Sequence, residues 1–536
     1  MEFLHRIRAW VMPFLFCASL VFAGLALYGW GPAWLLLALS LLALAIGGYD
    51  LLQRSHSILR NYPVLGHLRF LLESAGPEIH QYFVESNTSG RPFNRDERDL
   101  IYRRAKGIEA VKAFGTELDV YGYGYGFIAH SASPRPAVED PGRNLRVQVG
   151  GPDCSQPYSA SLLNISAMSF GALSANAVLA LNSAACRGGF AHNTGEGGLS
   201  IHHREPGGDL IWQVGTGYFG CRSDEGSFSS ELFEEASQRP QVKMIELKLS
   251  QGAKPGHGGI LPAAKVSAEI AAARKVPVGE DCFSPPGHGA FSTPTGLLEF
   301  IARLRKLSGG KPVGFKLCVG DPREFYAICK AMLETRISPD FITVDGGEGG
   351  TGAAPTEFSD HLGYPLREGL LLVHNALVGT NLRDRIRIAA SGKRFASYQM
   401  ASALALGADW CNVARGFMIS LGCIQSRLCG TNLCPVGVAT QKKRLQRALV
   451  PGEQAERAYR FHRATLEGLA ETAAACGLEH PELFKPVHLY ERTSPHEVRR
   501  FDQLYSFVEP GQLSAGDIPD SMNPFWENAR PDRFER

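Results

Sequence analysis

The sequence lacks an excess of charge of either sign. Its 55 Lys and Arg stand against 53 Asp and Glu, a formal net charge of +2. Without a large basic surplus on one face there is no case for a nucleic-acid partner. A disulfide framework is missing too. The 12 cysteines are mostly scattered singly in apolar runs, as buried reduced thiols are, and only Cys423, Cys429 and Cys434 form a tight group. That pattern suits a reducing compartment. No glycine-rich dinucleotide fingerprint with its acidic partner follows any predicted strand, so a nicotinamide site in this chain is not expected. Apolar residues are not lacking. At 44% hydrophobic over 536 residues, the chain can bury one large core and smaller attachments.

Two uncharged runs open the sequence, Trp10 to Tyr28 and Ala33 to Tyr49. Each is close to bilayer-spanning length. Gly29-Trp30-Gly31-Pro32 between them is too short for anything but an antiparallel hairpin, with Trp30 and Trp34 suited to an interface. Arg6 and Arg8 precede the first run, Arg54, Arg60 and Arg69 follow the second, and the turn carries no Lys or Arg. The positive-inside rule therefore predicts an inner-membrane anchor with both ends, and the bulk of the chain, in the cytoplasm. A cleaved signal peptide or a hairpin buried in protein is the alternative.

The predicted organisation is a transmembrane hairpin over 1–53, a connecting region over 54–146, a catalytic domain over 147–449 and a helical tail over 450–536. In the connecting region, Arg91 to Arg104 reads as a solvated helix. The run Gly122-Tyr123-Gly124-Tyr125-Gly126 lacks a preceding buried strand and a following helix, and reads as a structural turn rather than a nucleotide loop. A Glu-rich helix is expected near Gln454 to Cys476.

Beyond Val147, short β-branched or apolar runs alternate with helical patterns, the signature of repeated βα units. Eight strands are predicted, near Leu162–Ser166, Phe190–Asn193, Val242–Leu247, Gly279–Phe283, Val313–Leu317, Phe341–Val344, Ile386–Ala390 and Trp410–Val413. Helical stretches near Leu173–Arg187, Gly296–Leu307, Pro322–Glu334 and Ala396–Leu406 fall between them. The fold class is α/β, and a TIM barrel is the simplest closure. An open doubly wound sheet has the same periodicity.

Glycine-rich segments follow the strands, at what would be the catalytic face of a barrel. Ala167-Met168-Ser169 and Asn193 to Gly198 offer small residues that admit a planar ligand. Ser391-Gly392-Lys393 and Ala414-Arg415-Gly416 follow strands seven and eight, the usual barrel phosphate site, where Lys393 or Arg415 supplies countercharge. A flavin mononucleotide suits this layout. Gln213, Lys316, Asp345, Gly346 and Gly347 complete the expected flavin contacts, and Lys316 at a strand end is the candidate to face the ring edge that becomes anionic on reduction. Immediately afterwards Cys423, Cys429 and Cys434 read C-x5-C-x4-C-P. Three thiolates on one loop suit a three-iron cluster, whereas zinc normally has a fourth close ligand. Three buried structural thiols are the alternative.

These motifs together resemble the FMN-binding synthase domain of ferredoxin- and NADPH-dependent glutamate synthases over about Val147 to Leu445. The resemblance is carried by Ala167–Ser169, Asn193–Gly198, Gln251–Gly256, Ser284–Pro286, Gly349–Ala353 and the cysteine loop through Gln441. It implies a (β/α)8 barrel with FMN, a 3Fe-4S cluster on the three cysteines, and reductive amination of 2-oxoglutarate to glutamate. It also implies that Lys254 and Arg274 hold the substrate carboxylates beside Ser169, and that Lys254, Glu196 and Lys316 serve catalysis.

The sequence departs from that family in three ways. No such hairpin belongs to the family pattern. The glutaminase with its amino-terminal Cys and the β-helical domain are not expected here, so ammonia or an amine would come from outside. Lastly, Ile260 stands where the family has a substrate-facing Gln, which bears on which oxo acid is taken. Two other readings use the same motifs. One is a membrane-bound amine or amino-acid dehydrogenase feeding a quinone or ferredoxin, and the other is a non-catalytic redox module. In all of them the electron partner, a ferredoxin or reductase, is a separate protein.

Overall fold

The computed structural model describes residues 2–534, with side chains described from Trp10, so Arg6 and Arg8 of the charge argument lie outside the described side chains. The chain divides into two compact units, Met1–Asp96 and Glu97–Arg536.

In the first unit, α1 (Glu2–Leu27) and α2 (Pro32–Leu52) pair as the expected hairpin. Gly29, at φ 99°, adopts the left-handed backbone that reverses the chain in so few residues. Both helices are long and apolar enough to cross a membrane by length and composition, and both leave most of their surface exposed. Their contact is partly polar: the buried Ser19 hydroxyl donates to Ser40 Oγ at 2.9 Å. Two further helices follow, α3 (Ser57–Asn61) and α4 (Gly66–Ile79), the latter continuing through a wider turn at His80–Val84. Asp50, in the last turn of α2, has its side chain fully buried. It accepts from Val64 N at 2.9 Å and pairs with His67 Nε2 at 2.9 Å, which ties the start of α4 to the end of α2.

The second unit is built on a closed barrel of eight parallel strands. In chain order they are β1 (Leu163–Ile165), β2 (His192–Asn193), β3 (Leu210–Val214), β4 (Val242–Lys248), β5 (Val313–Leu317), β6 (Phe341–Asp345), β7 (Arg387–Ser391) and β8 (Trp410–Val413). Neighbours in sequence are neighbours in space, and β8 closes on β1 with Cys411 opposite Leu163. Helices between strands have well-made ends. In Pro322–Thr335 the Asp321 carboxylate caps Arg323 N at 3.0 Å, Pro322 opens the first turn, and Arg336 leaves in the left-handed region.

One predicted strand is corrected. Of Gly279–Phe283 only Cys282–Phe283 is extended, and it pairs antiparallel with Ile260–Leu261 outside the barrel. Glu280, Asp281 and Phe283 are exposed there, whereas a central parallel strand is covered on both faces. Its place is taken by β3, whose five residues are all buried. That run is apolar except for Gln213 and bounded by Gly207-Gly208 and Gly215, so the signal of a buried strand was present in the sequence and was missed.

The solvated helix expected at Arg91–Arg104 is also corrected. Helix Arg95–Lys106 buries Arg98, Ile101 and Ala105 on one face. Tyr102 donates its hydroxyl to Cys423 O at 2.7 Å, and Arg104 donates to Phe395 O at 3.1 Å. Gly126–Ile128 forms a strand with Leu489–Ser494, and Phe127 stacks on Tyr490 with ring centroids 5.1 Å apart, so the glycine-tyrosine run is a structural element. Helix Pro451–Ala475 packs on helix Ala175–Gly188 and buries Phe461, Leu466 and Leu469, Phe461 lying edge-on to Phe417 at 5.2 Å, and His462 Nε2 lies 3.0 Å from Leu163 O in β1.

Candidate active site

At the C-terminal ends of the strands, alternation aims some side chains at the barrel axis and the rest at the helices. Glu246 of β4 points inward and is fully buried. It accepts from Asn193 Nδ2 at 2.7 Å and Gln213 Nε2 at 2.6 Å on one oxygen, and from Thr343 Oγ1 at 2.5 Å on the other. Two predicted flavin-site amides are thus brought together by a carboxylate that the sequence reading did not single out. Its signal was present: an acidic residue inside the apolar run Val242–Leu247.

Lys316 of β5 stands beside this group, 3.2 Å from Asp345 Oδ2 at the end of β6. Burial alone would lower its pKa, but the Asp345 and Glu246 carboxylates outweigh that and raise it, so Lys316 stays charged. Asp345 also accepts from Gly252 N at 3.0 Å, fastening the Gln251–Gly256 loop to the barrel mouth. The contact is close enough that a Cβ on Gly252 would overlap Gly346 O. Gly346 and Gly347 give their N–H groups to the carbonyls of Ser391 and Tyr364, so these two glycines shape the loop with their amides already engaged.

A second cluster lies on the other side of that loop. Lys248 Nζ is 2.7 Å from Glu196 Oε1. Glu196 lies within the fields of Lys248, Arg274 and Lys254. Burial pushes its pKa up, but these cations prevail and hold it below the usual carboxylate value. Lys254 is buried and, among the described residues, forms no ion pair within 4.0 Å. Its pKa falls to about 8, first through burial, with Glu196 opposing the fall and Lys248 adding to it. Arg274 is buried as well. It donates to Phe170 O at 3.1 Å and reaches Ser169 Oγ at 3.5 Å, while among the described residues its Nε has no partner. Its guanidinium also covers the Phe219 ring at 5.1 Å. The predicted set Ser169, Glu196, Lys254 and Arg274 is therefore gathered in one place, and Lys248 is the member that sequence reasoning missed. A pocket lined by Thr216, Lys248, Ser250, Gln251 and Lys254 marks the spot. The larger cavity of about 630 Å³ around His288 and Phe325 flanks these lysines without containing them.

The last two predicted phosphate segments also reach the mouth. Ser391 Oγ is 3.1 Å from Ser166 Oγ, joining the ends of β7 and β1, with Ala167 and Met168 next in the chain. Gly392 and Lys393 continue from Ser391. Ala414, Arg415 and Gly416 follow β8, and Arg415 Nη2 donates to Glu348 O at 2.8 Å, holding the Gly346–Gly352 segment. That segment touches the cysteine loop: a Cβ on Gly352 would lie 3.3 Å from Cys429 Cβ.

Cys423, Cys429 and Cys434 lie near enough to feel one another's charge. Burial, then Cys434, raises the Cys429 pKa, and the Cys423 pKa rises to about 11, mainly by burial. Among the described residues, however, no three His, Cys, Asp or Glu side chains are drawn together as a metal-binding group. Beside the loop is a residue that sequence reasoning passed over. Lys265 is buried, donates to Ala172 O at 2.7 Å and Cys429 O at 3.2 Å, and among the described residues forms no ion pair with a carboxylate. Its pKa falls to about 8, through burial first, with the Cys429 and Cys434 sulfurs opposing the fall. Asn432 clamps the loop, donating to Ala264 O at 2.5 Å and accepting from Gln441 N at 2.6 Å.

The conserved region of glutamate synthase matches residues 154–479, which include the whole barrel and the cysteine loop. The glutamate synthase large subunit-like protein YerD of Bacillus subtilis is 38% identical over 495 residues, 85% of this chain and 94% of that protein. The archaeal glutamate synthase (NADPH) of Methanocaldococcus jannaschii is 36% identical over 315 residues, 59% of this chain and 58% of that protein. Ferredoxin-dependent glutamate synthase 2 of Synechocystis is 37% identical over 215 residues, 39% of this chain and 13% of that protein. With the family region spanning the barrel and one relative aligned nearly end to end, the chain belongs to the glutamate synthase family.

Proposed function

We propose that the protein is an FMN- and iron–sulfur-dependent oxidoreductase of the C–N bond of amino acids. It reductively aminates a 2-oxo acid, 2-oxoglutarate to glutamate, with ammonia or an amine supplied from outside. The observation that carries this reading is a charge imbalance. Lys248 is matched by Glu196 and Lys316 by Asp345, but among the described residues no carboxylate lies within 4.0 Å of Lys254 or Arg274, both buried. Two buried cations left unmatched call for a ligand with two negative charges, and a dicarboxylate supplies them.

FMN suits the barrel mouth. Lys316 pairs with Asp345, which precedes Gly346, and Arg415 holds Glu348 O in the same segment, while Asn193 and Gln213 lie on β2 and β3 and Ser169 on the loop after β1. When bound, FMN supplies the two electrons, as hydride to the imine carbon formed from oxo acid and amine with loss of water. The chain's own residues do the rest. Lys254 and Arg274 hold the carboxylates, Glu196 keeps Lys248 positioned and opposes the fall in the Lys254 pKa, and Lys254, with its pKa near 8, can hold or release a proton near neutrality. The three cysteines with Lys265 fit an anionic iron–sulfur group by donor chemistry, because a buried ammonium without a carboxylate lacks its counter-charge. The electrons come from a separate ferredoxin or reductase, and the hairpin anchors the enzyme in the inner membrane with the barrel in the cytoplasm.

A second direction, amine oxidation with electrons passed to a quinone, is favoured by one observation, the two membrane-length helices, because quinones dissolve in the bilayer. Anaerobic steady-state assays with a panel of 2-oxo acids and amines, run with reduced and with oxidised carriers, test both. Amino-acid formation from a dicarboxylic oxo acid supports the first reading. Turnover only with amines and a quinone selects the second, and turnover in neither direction overturns both.

A further inference from the structure

The segment between the hairpin and the second unit contains an element whose surroundings in water do not account for it. From Gly66 to Val84 the chain is helical, yet Gly66 is its only buried residue. Exposed on it are Leu68, Leu71, Leu72, Ile79, Tyr82 and Phe83, the last at 85%. Leu65, Leu68, Leu72, Ile79 and Phe83 recur at spacings of three, four and seven, so they return to one face. His67, Ser74, Glu78 and Gln81 lie across the helix from them, with the apolar Phe70 among them. A helix of this length with no buried face is marginal in water, because helical stability in proteins comes chiefly from packing an apolar stripe. A contiguous exposed apolar face also marks an interaction surface.

We propose that this face binds the lipid bilayer, with residues 65–84 lying in the membrane interface beside the hairpin. The inference rests on reading α1 and α2 as bilayer-spanning, and goes beyond it by assigning a second, in-plane contact. What selects lipid as the occupant is position. Asp50 sits in the last turn of α2, and its carboxylate receives Val64 N and His67 Nε2. The first turn of α4 is thereby pinned at the end of an apolar span, which is the level of the bilayer's polar boundary. The apolar faces of the span, including Trp34 and Leu35, are exposed in the same unit, so one lipid surface covers both. An amphipathic helix with leucine and aromatic side chains on one side and polar groups on the other is the form that lies in such a boundary.

The test uses the full-length chain reconstituted into vesicles of phosphatidylethanolamine and phosphatidylglycerol. A photoactivatable side chain is placed in turn at Leu72, at Phe83, at Glu78 on the polar face and at Leu35 in the span. Lipid adducts at Leu72 and Phe83 severalfold above those at Glu78, with Leu35 also labelled, are expected. Labelling at Leu35 but not at Leu72 or Phe83 overturns the in-plane helix and leaves the anchor standing. Adducts at none of the positions overturn the membrane reading itself. Crosslinks from Leu72 or Phe83 to a second copy of the chain, in place of lipid, show that the face is a dimer contact and overturn the proposal.

Discussion

Lys248 Nζ and Glu196 Oε1 are 2.7 Å apart, and because Glu196 is taken by this pair, Lys254 is left buried without a carboxylate of its own. On the proposed function, that arrangement is what selects an anionic substrate. Glu196 still acts on Lys254 from a distance, opposing the burial that, on balance, leaves the Lys254 pKa at about 8. Removing the charge by Glu196→Gln should lower the Lys254 pKa further. The alkaline limb of the kcat/KM profile should move to lower pH, a displacement that a merely structural role would not produce.

In the parent enzyme the sign is set by the same residue. Lys254 is protonated below about pH 8 and loses its charge as pH rises through that value. Capture of a carboxylate should therefore be full on the acid side and decline above about pH 8, seen in kcat/KM, which reports the free enzyme. Lys254→Arg should extend the plateau to higher pH. Lys254→Met should cost roughly tenfold to a hundredfold in kcat/KM, the worth of one hydrogen bond to a charged group at about 1.5–3 kcal/mol. An unchanged profile in Lys254→Met would remove this lysine from the site.

Gly252 is the tightest backbone contact at the barrel mouth. A methyl group there would lie 1.7 Å from Gly346 O, and Gly252 N must still reach Asp345, the partner of Lys316. Gly252→Ala should displace the Gln251–Gly256 loop while the barrel folds. The expected outcome is an unchanged far-ultraviolet circular dichroism spectrum with loss of bound flavin on gel filtration.

The cysteine loop is tested by iron content. Cys429→Ser should abolish the electron paramagnetic resonance signal of the oxidised protein while flavin stays bound, because one of three thiolates is replaced by a poor iron donor. Lys265→Met removes a buried cation beside Cys429. It should shift the iron midpoint potential to more negative values, since added electron density is no longer offset, while thermal stability of the iron-free protein holds or rises. Iron retained in Cys429→Ser would make these thiols structural.

What the sequence by itself determined was whatever is written in local period and in short motifs. The hairpin is legible because two uncharged runs of spanning length stand next to each other. All but one of the eight barrel strands are legible because parallel strands are continuous apolar runs. Ser169 and Glu196 are legible because glycine-rich segments after strands mark the catalytic face, whereas Lys254 and Arg274 are singled out only by the family resemblance. Only the tertiary structure decided which side chains share that face. Closure of the barrel brings Glu246 of β4 to Asn193, Gln213 and Thr343 of three other strands, and no sequence spacing encodes that convergence. It also replaced Gly279–Phe283 by Leu210–Val214, because burial on both faces is a property of position in the closed sheet. Lys248 and Lys265 read as ordinary lysines until folding removes their water. Their roles arise from desolvation and from the neighbours that remain, and those exist only once the chain is packed.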